Sequence, residues 1–183
     1  MIDISDLTLK RLSLDFEFSD FDCEIQDLNE FLRDDAVNYA NELMAVTYLL
    51  YDKQQLVAFF TFQNDKISYD VQRKSDWNAV SRVVNNDKRN RRGGYPAVKI
   101  GRLGIDKKYK GQKIGTQILD YTKMSFVTNN KTGCRFITVD AYNSPDVITF
   151  YEKNRFKMFP AERDNDDRTK AMYFDLKTFL SEV

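Results

Sequence analysis

The stretch "YKGQKIGTQIL" at residues 109–119 sets two glycines among lysines and then opens into an apolar pattern at helical spacing, Ile114, Ile118, Leu119, Thr122 and Phe126. The segment before it, "AVKIGRLGI", reads as a strand interrupted by Gly101 and Gly104, a sign of a bulge or a close backbone approach. Strand, glycine turn and helix in that order make an anion site. The start of a helix has unpaired N–H groups and a partial positive charge. Gly111 and Gly115 let a ligand reach the backbone, and the N–H groups from Gln112 to Thr116 can wrap a diphosphate as a nest. Lys107, Lys108, Lys110 and Lys113 add charge at the same turn. The spacing is neither the Walker P-loop nor the three-glycine dinucleotide fingerprint. The competing reading is a lysine-rich surface turn whose glycines only shape the connection.

On either side of the turn the pattern is mixed α/β. "IQDLNEFLRDDAVNYANEL" at 25–43 carries apolar residues at helical spacing with acids near its start. "MAVTYLLYD" and "QLVAFFTFQ" flank "DKQQ" as an antiparallel hairpin. "SDWNAVSRVVNN" reads as a helix capped by Ser75, and "DKRNRRGGYP" as a basic loop, so residues from about 64 to 96 form an insertion in a single domain spanning 1–183. "CRFITVDAY" is a strand. In "NSPDVITFYEKNRF", Ser144 as N-cap, Pro145 at the first helical position and Asp146 in the first turn start a helix. "AMYFDL" is a last strand. The order predicts a central mixed sheet, part parallel and part antiparallel, flanked by helices. Two parallel strands that splay would open a ligand cleft at their C-terminal ends.

Composition narrows the chemistry. The 183 residues are 42% hydrophobic and 31% charged with zero formal net charge, so no global field draws nucleic acid or an anionic membrane. The longest apolar run, Leu56 to Phe60, is far short of a membrane span, and the opening residues lack a signal peptide's apolar core, which predicts a cytoplasmic protein. Cys23 and Cys134 form no metal-ligand spacing and read as reduced and structural. There is no histidine. That removes histidine triads, histidine–zinc sites and histidine bases together. Proton transfer is left to Tyr, Glu, Asp, Lys, Cys, a terminus or water.

Residues 102–156, "RLGIDKKYKGQKIG" followed by "GCRFITVDAYN" and "FYEKNRF", resemble the GNAT N-acetyltransferase superfamily. Its motif, Gln/Arg-x-x-Gly-x-Gly/Ala, is matched by Lys110, Gly111, Gln112, Lys113, Ile114 and Gly115. "FDCEIQDLNEFL" at 21–32 resembles the opening helix of a subgroup that contains tRNA-acetylating toxins. The chain departs from the pattern at Lys110, at Lys113 in place of a glycine and at Arg155 in place of another. A residue with a Cβ at 113 fits if its φ is negative.

The resemblance implies a GNAT fold, acetyl-CoA as cosubstrate without a metal, and direct transfer of acetyl to a primary amine. It implies that the backbone of Leu103, Gly104 and Ile105 holds the pantetheine arm and aids the carbonyl. Lys110, Gly111, Gln112, Lys113, Ile114, Gly115 and Thr116 would hold the diphosphate. Asn143 would bond the pantetheine region with Phe150 nearby, and Tyr151 would protonate the departing sulfur. The competing roles are a strand-end cap for Asn143 and a core aromatic for Tyr151. For the general base, Asp140, Glu30, Asp34 and Asp35 are the acids to weigh; a water chain or an already neutral amine would need none.

Arg82, Lys88, Arg89, Arg91 and Arg92, flanked by Trp77 and Tyr95, form a basic insertion that could contact tRNA or simply be a solvated loop. The acceptor is an amine of open identity, and a homodimer is compatible with the reading. The alternatives are an aminoacyl-tRNA-acetylating toxin-like enzyme and a CoA-binding module without turnover.

Overall fold

The β-branched and aromatic run from Val46 onward folds as the predicted hairpin. In the computed structural model, which describes residues 2–70, 73–84, 93–130, 133–162 and 167–180, β2 (Val46–Asp52) pairs antiparallel with β3 (Gln55–Ile67). The other strands are β1 (Thr8–Arg11), β4 (Tyr95–Ile105), β5 (Phe136–Tyr142), β6 (Lys157–Met158) and β7 (Thr169–Asp175). Their order in the sheet is β1-β2-β3-β4-β5-β7-β6. β1–β2, β5–β7 and β6–β7 are antiparallel. β3 and β4 run antiparallel as well, since Gly104 faces Phe59, Gly101 faces Thr61 and Gly94 faces Ile67. β4 and β5 are parallel, because their contacts advance together: Arg135 N–H donates to the Pro96 carbonyl (3.0 Å), Thr138 Oγ1 to that of Val98 (3.5 Å), and Lys99 pairs with Asp140. The mixed sheet is the one the element order predicts.

The chain divides into two compact units, residues 1–63 with 100–122 and residues 64–99 with 123–183. In the first, one sheet face packs Leu49, Leu56 and Phe59 against Leu28, Phe31, Leu32 and Ala36. The other packs Leu50, Val57, Ala58 and Phe60 against Ile114 and Ile118 of α4 (Ile114–Thr128), with Leu103 and Ile105 beside them. In the second, Trp77 and Val80 of α3 (Lys74–Val83) pack on Ile67, Tyr95, Phe136, Phe159 and Tyr173.

The opening helix is not continuous. α1 (Gln26–Glu30) passes through a π-helical turn, Phe31–Asp35, into α2 (Ala36–Asn41). Such wide turns are rare in helices and concentrate at functional sites. α2 ends in a Schellman motif: Met44 N–H donates to the Tyr39 carbonyl and Leu43 N–H to that of Ala40, with Leu43 left-handed at φ +56°. α3 starts one residue before the expected Ser75 cap. Its N-cap is Arg73, whose side chain makes no cap bond and pairs instead with Asp76 and Glu162. Of the basic insertion, Arg82 lies exposed on α3, whereas Lys88, Arg89, Arg91 and Arg92 lie outside the described residues. Trp77 and Tyr95 are core residues, 3% and 1% exposed and stacked 4.8 Å apart, so they offer no surface for a base.

Candidate active site

The first group of predicted residues lies in the turn between β4 and α4. Asp106 ends the strand, and its carboxylate accepts from the N–H groups of Lys108 (2.9 Å) and Asp22 (3.0 Å), capping a 3₁₀ turn at Lys107–Tyr109. The chain then takes left-handed φ at Gly111 (+78°) and again at Lys113 (+60°), and α4 begins. The condition set for a side chain at 113, a negative φ, is not met. The lysine adopts the backbone that favours glycine, so the turn keeps a glycine's geometry without the glycine. A Cβ built on Gly111 would meet nothing within 4 Å, so the turn is open at this residue. Gly115 and Ile114 are buried in the first turn of α4, and Thr116 is partly buried.

The lysines are less available than their number suggests. Lys107 Nζ bonds Asp22 (2.9 Å), Lys108 bonds Asp20 (2.9 Å) and Lys110 pairs with Glu24. Asp22 is the hub, accepting also from Asn29 Nδ2 and Glu24 N–H; the Lys107 ammonium first, then these donors, hold its carboxyl well below the usual range. Lys113 is the lysine of this turn with no acidic partner among the described residues. The sequence reading missed this acidic segment. Its signal was there in "DFDCE", where Asp20, Asp22 and Glu24 alternate with Phe21 and Cys23, both buried.

Upstream in β4, Leu103 and Ile105 face Ile114 and Ile118, while Gly104 faces the other way, where a Cβ would come within 2.6 Å of the Phe59 ring. Glycine is required there.

The second group lies at β5 and α5 (Pro145–Lys153). Ser144 precedes the helix as expected, with Pro145 at its start, but the serine hydroxyl makes no cap bond. Asn143 is exposed at the strand end; its Nδ2 donates to the Asp167 carbonyl (3.0 Å) and its N–H to that of Arg168 (2.9 Å). That is the strand-end cap, which leaves Oδ1 for another partner. Tyr151 is 6% exposed, edge-on to Phe150 (5.0 Å) and Phe156 (5.3 Å), and its hydroxyl bonds no described residue. Burial pushes its phenol pKa far up. Arg155, also in a glycine's place, is left-handed at φ +70°.

Among the acids weighed as bases, Asp140 is ion-paired with Lys99, Asp34 with Arg33 (2.8 Å), and Glu30 accepts from Gln26 (2.7 Å). Asp140 also lines a cavity of about 300 Å³ with Asp65, Arg73, Asp76 and Thr138. Its four acids, Asp65, Asp70, Asp76 and Asp140, each already have an interaction partner. Among the described residues no group of three or more His, Cys, Asp or Glu is placed to hold a metal ion.

No protein-family model matches the chain, and no curated protein matches its sequence. Solved structures match nearly all of it. A tyrosine-to-phenylalanine mutant of the toxin AtaT, bound to the C-terminus of the antitoxin AtaR and acetyl-CoA, aligns with a TM-score of 0.71 at 20% identity, over 97% of this chain and 98% of that one. AtaT complexed with acetyl-methionyl-tRNAfMet gives 0.70 at 20%, over 96% and 98%. A tyrosine-to-phenylalanine mutant of KacT gives 0.72 at 18%, over 97% and 99%. The chain has the GNAT fold. At such low identity the GNAT fold is carried here by pattern: apolar alternation in the strands, and left-handed turns at 113 and 155 where the glycines themselves are gone.

Proposed function

We propose that this protein is an acetyl-CoA-dependent N-acetyltransferase whose acceptor is the amine of an aminoacyl-tRNA. The observation that carries the reading is the left-handed turn at Gly111–Lys113, opening α4, in a chain whose fold matches structures of AtaT with acetyl-CoA and with acetyl-methionyl-tRNAfMet. The turn suits a diphosphate. Its backbone alternates into the left-handed region, it is open at Gly111, and Lys113 is a cation without an acidic partner among the described residues.

Acetyl-CoA supplies an activated thioester, and the chain's own groups supply position and protons. The N–H groups from Gln112 to Thr116 bind the diphosphate, and the backbone of Leu103–Ile105 orients the pantetheine arm and the carbonyl. Asn143 gives its free Oδ1 to that arm, and Phe150 borders it. Tyr151 gives its O–H to the departing sulfur. The phenol is protonated at neutral pH even without burial; burial raises its pKa and so makes it a weaker acid, which suits a hydrogen bond to the developing thiolate better than full proton transfer. The amine must arrive neutral. An α-amine, near pKa ~8, meets this far more readily than a lysine near ~10.4. Of the acids weighed as base, Asp140, Asp34 and Glu30 are engaged, and Asp35 is exposed with no hydrogen-bond or ionic partner among the described residues; an α-amine, which needs no dedicated base, stays the favoured acceptor on its pKa. Tyrosine-to-phenylalanine mutants of both AtaT and KacT are among the matching structures, in keeping with a working tyrosine.

The test is acetyl transfer, followed by mass spectrometry, to a panel of a polyamine, a lysine-rich protein, a peptide with a free α-amine, and aminoacyl-tRNA. The reading predicts the highest rate on aminoacyl-tRNA, falling steeply as salt rises. Acetyl-CoA binding with no transfer to any of them would leave a CoA-binding module without turnover.

A further inference from the structure

Arg102 of β4 is unlike the ion-paired arginines of the chain. Arg33, Arg73 and Arg135 each hold a carboxylate. Arg102 has none among the described residues. Its guanidinium carbon lies 4.5 Å from the centre of the Phe31 ring, Nη1 donates to the Gly101 carbonyl (3.2 Å), and Nε is buried without a partner. The side chain as a whole is partly exposed. Nε and the second Nη form an edge whose donors no described residue takes up, the pairing that binds an oxyanion in bidentate fashion; Nε is out of solvent's reach, so an anion meets the second Nη first.

Three local irregularities converge on this face. Gly101 points at Thr61 and Gly104 at Phe59, although the glycines are three positions apart and Thr61 and Phe59 share one face of β3. A bulge at Gly101–Arg102 accounts for this and turns Arg102 to that same face, toward Phe31. Phe31 opens the π-helical turn. Beside the bulge, Thr47 and Thr61 are direct partners across β2 and β3, each 1% exposed, and neither hydroxyl has a hydrogen-bond partner among the described residues. A Cβ at 101 would lie 2.9 Å from Thr61 Oγ1 and 3.1 Å from Gln63 Oε1, so only glycine suits this close approach of the backbone to the two polar side chains. A patch with no ligand would lose nothing by replacing these hydroxyls with methyl groups.

We propose that Arg102, supported on Phe31, receives an oxyanion of the acetyl acceptor, so that the enzyme selects amines carrying a carboxylate or phosphate close by. This rests on the acyl-transfer reading. Arg102 directly precedes Leu103–Ile105, the backbone assigned to the thioester arm, so an anion held there belongs to the acceptor side of the reaction.

The experiment measures binding in the presence of CoA for two matched pairs of probes: N-acetylalanine against N-acetylalaninamide, and adenosine 5′-monophosphate against adenosine. Wild type is expected to bind the anionic member of at least one pair about tenfold tighter or more. The pair that shows it tells carboxylate from phosphate. In Arg102→Met the preference falls to about twofold or less, with acetyl-CoA affinity unchanged; in Arg102→Lys, which keeps the charge but not the planar fork, it drops about threefold or more. No preference in the wild type, or a preference that survives in Arg102→Met, overturns the assignment. If Arg102→Met does not fold, an undiminished preference in Arg102→Lys overturns it equally. Failure of acetyl-CoA to bind, with the anion preference intact and lost on substitution, would remove the acetyltransferase reading and leave the oxyanion site standing.

Discussion

Lys113 and Arg155 hold left-handed backbone where a side chain costs about 1–2 kcal/mol. Part of that is returned in the unfolded state, since glycine there has more freedom to lose, about 0.4–1 kcal/mol. Lys113→Gly should therefore raise the melting temperature by about 2 °C, from ~0.5–1 kcal/mol of stability at 2–4 °C per kcal/mol. It should also weaken acetyl-CoA several-fold, because the unpaired ammonium goes with it. Calorimetry and a thermal melt on one variant separate the two effects. Thr61→Val makes the opposite case for a side chain. Removing an orphaned buried hydroxyl while keeping the shape should stabilise by about 1 kcal/mol in denaturant titration. For Tyr151→Phe, the proposed role predicts a fall in kcat of about 10²–10⁴ with acetyl-CoA affinity held. Because burial raises the phenol's pKa, it stays the acid form across pH 6–9, and the wild-type rate should rise with pH through the acceptor amine's pKa with no falling limb from Tyr151. A falling limb below pH 9 that vanishes in Tyr151→Phe would contradict this.

Among the elements, the acidic segment at 20–24 is tied most directly to the turn it borders. Asp20, Asp22 and Glu24 take up three of its lysines, so these cations fix the loop's shape. Asp22 has a depressed pKa in the folded protein, so its contribution is present above the unfolded value of about 3.9 and is lost as pH falls below it. Asp22→Asn should accordingly flatten the acid limb of the stability–pH curve below about pH 4, read by melts at each pH. This coupling was hard to read in the sequence, because it joins residues some 85 positions apart. The helix at 26–41 was legible as apolar spacing, yet its π turn was not: one extra residue per turn hardly disturbs the spacing over two turns. Short edges were illegible for another reason. β1, "TLKR", exposes three of its four residues and has no apolar alternation to betray it, and β6 has only two residues. The Schellman end of α2 sets Leu43 at φ +56° and 87% exposed where glycine is usual.

For the whole molecule, the mixed sheet could be inferred because long strands alternate with periodic helices, and tertiary packing followed the same pattern. The candidate site was legible where backbone chemistry dictates residues: the glycines of the turn, the Pro145 start of α5 and the required glycine at 104. It was illegible where partners come from afar, as with the lysines neutralised by 20–24, the orphaned fork of Arg102 and the burial of Trp77 and Tyr95. On the proposed function, the turn after β4 holds the diphosphate of acetyl-CoA. The most direct measurement is calorimetric titration of acetyl-CoA into the wild type and into Gln112→Glu, a nearly isosteric change that sets a negative charge at the mouth of the turn. Micromolar binding by the wild type and a loss of about tenfold or more in the variant are expected for one charge close to a diphosphate. Equal affinity in the two proteins, or no binding by the wild type, would contradict this placement.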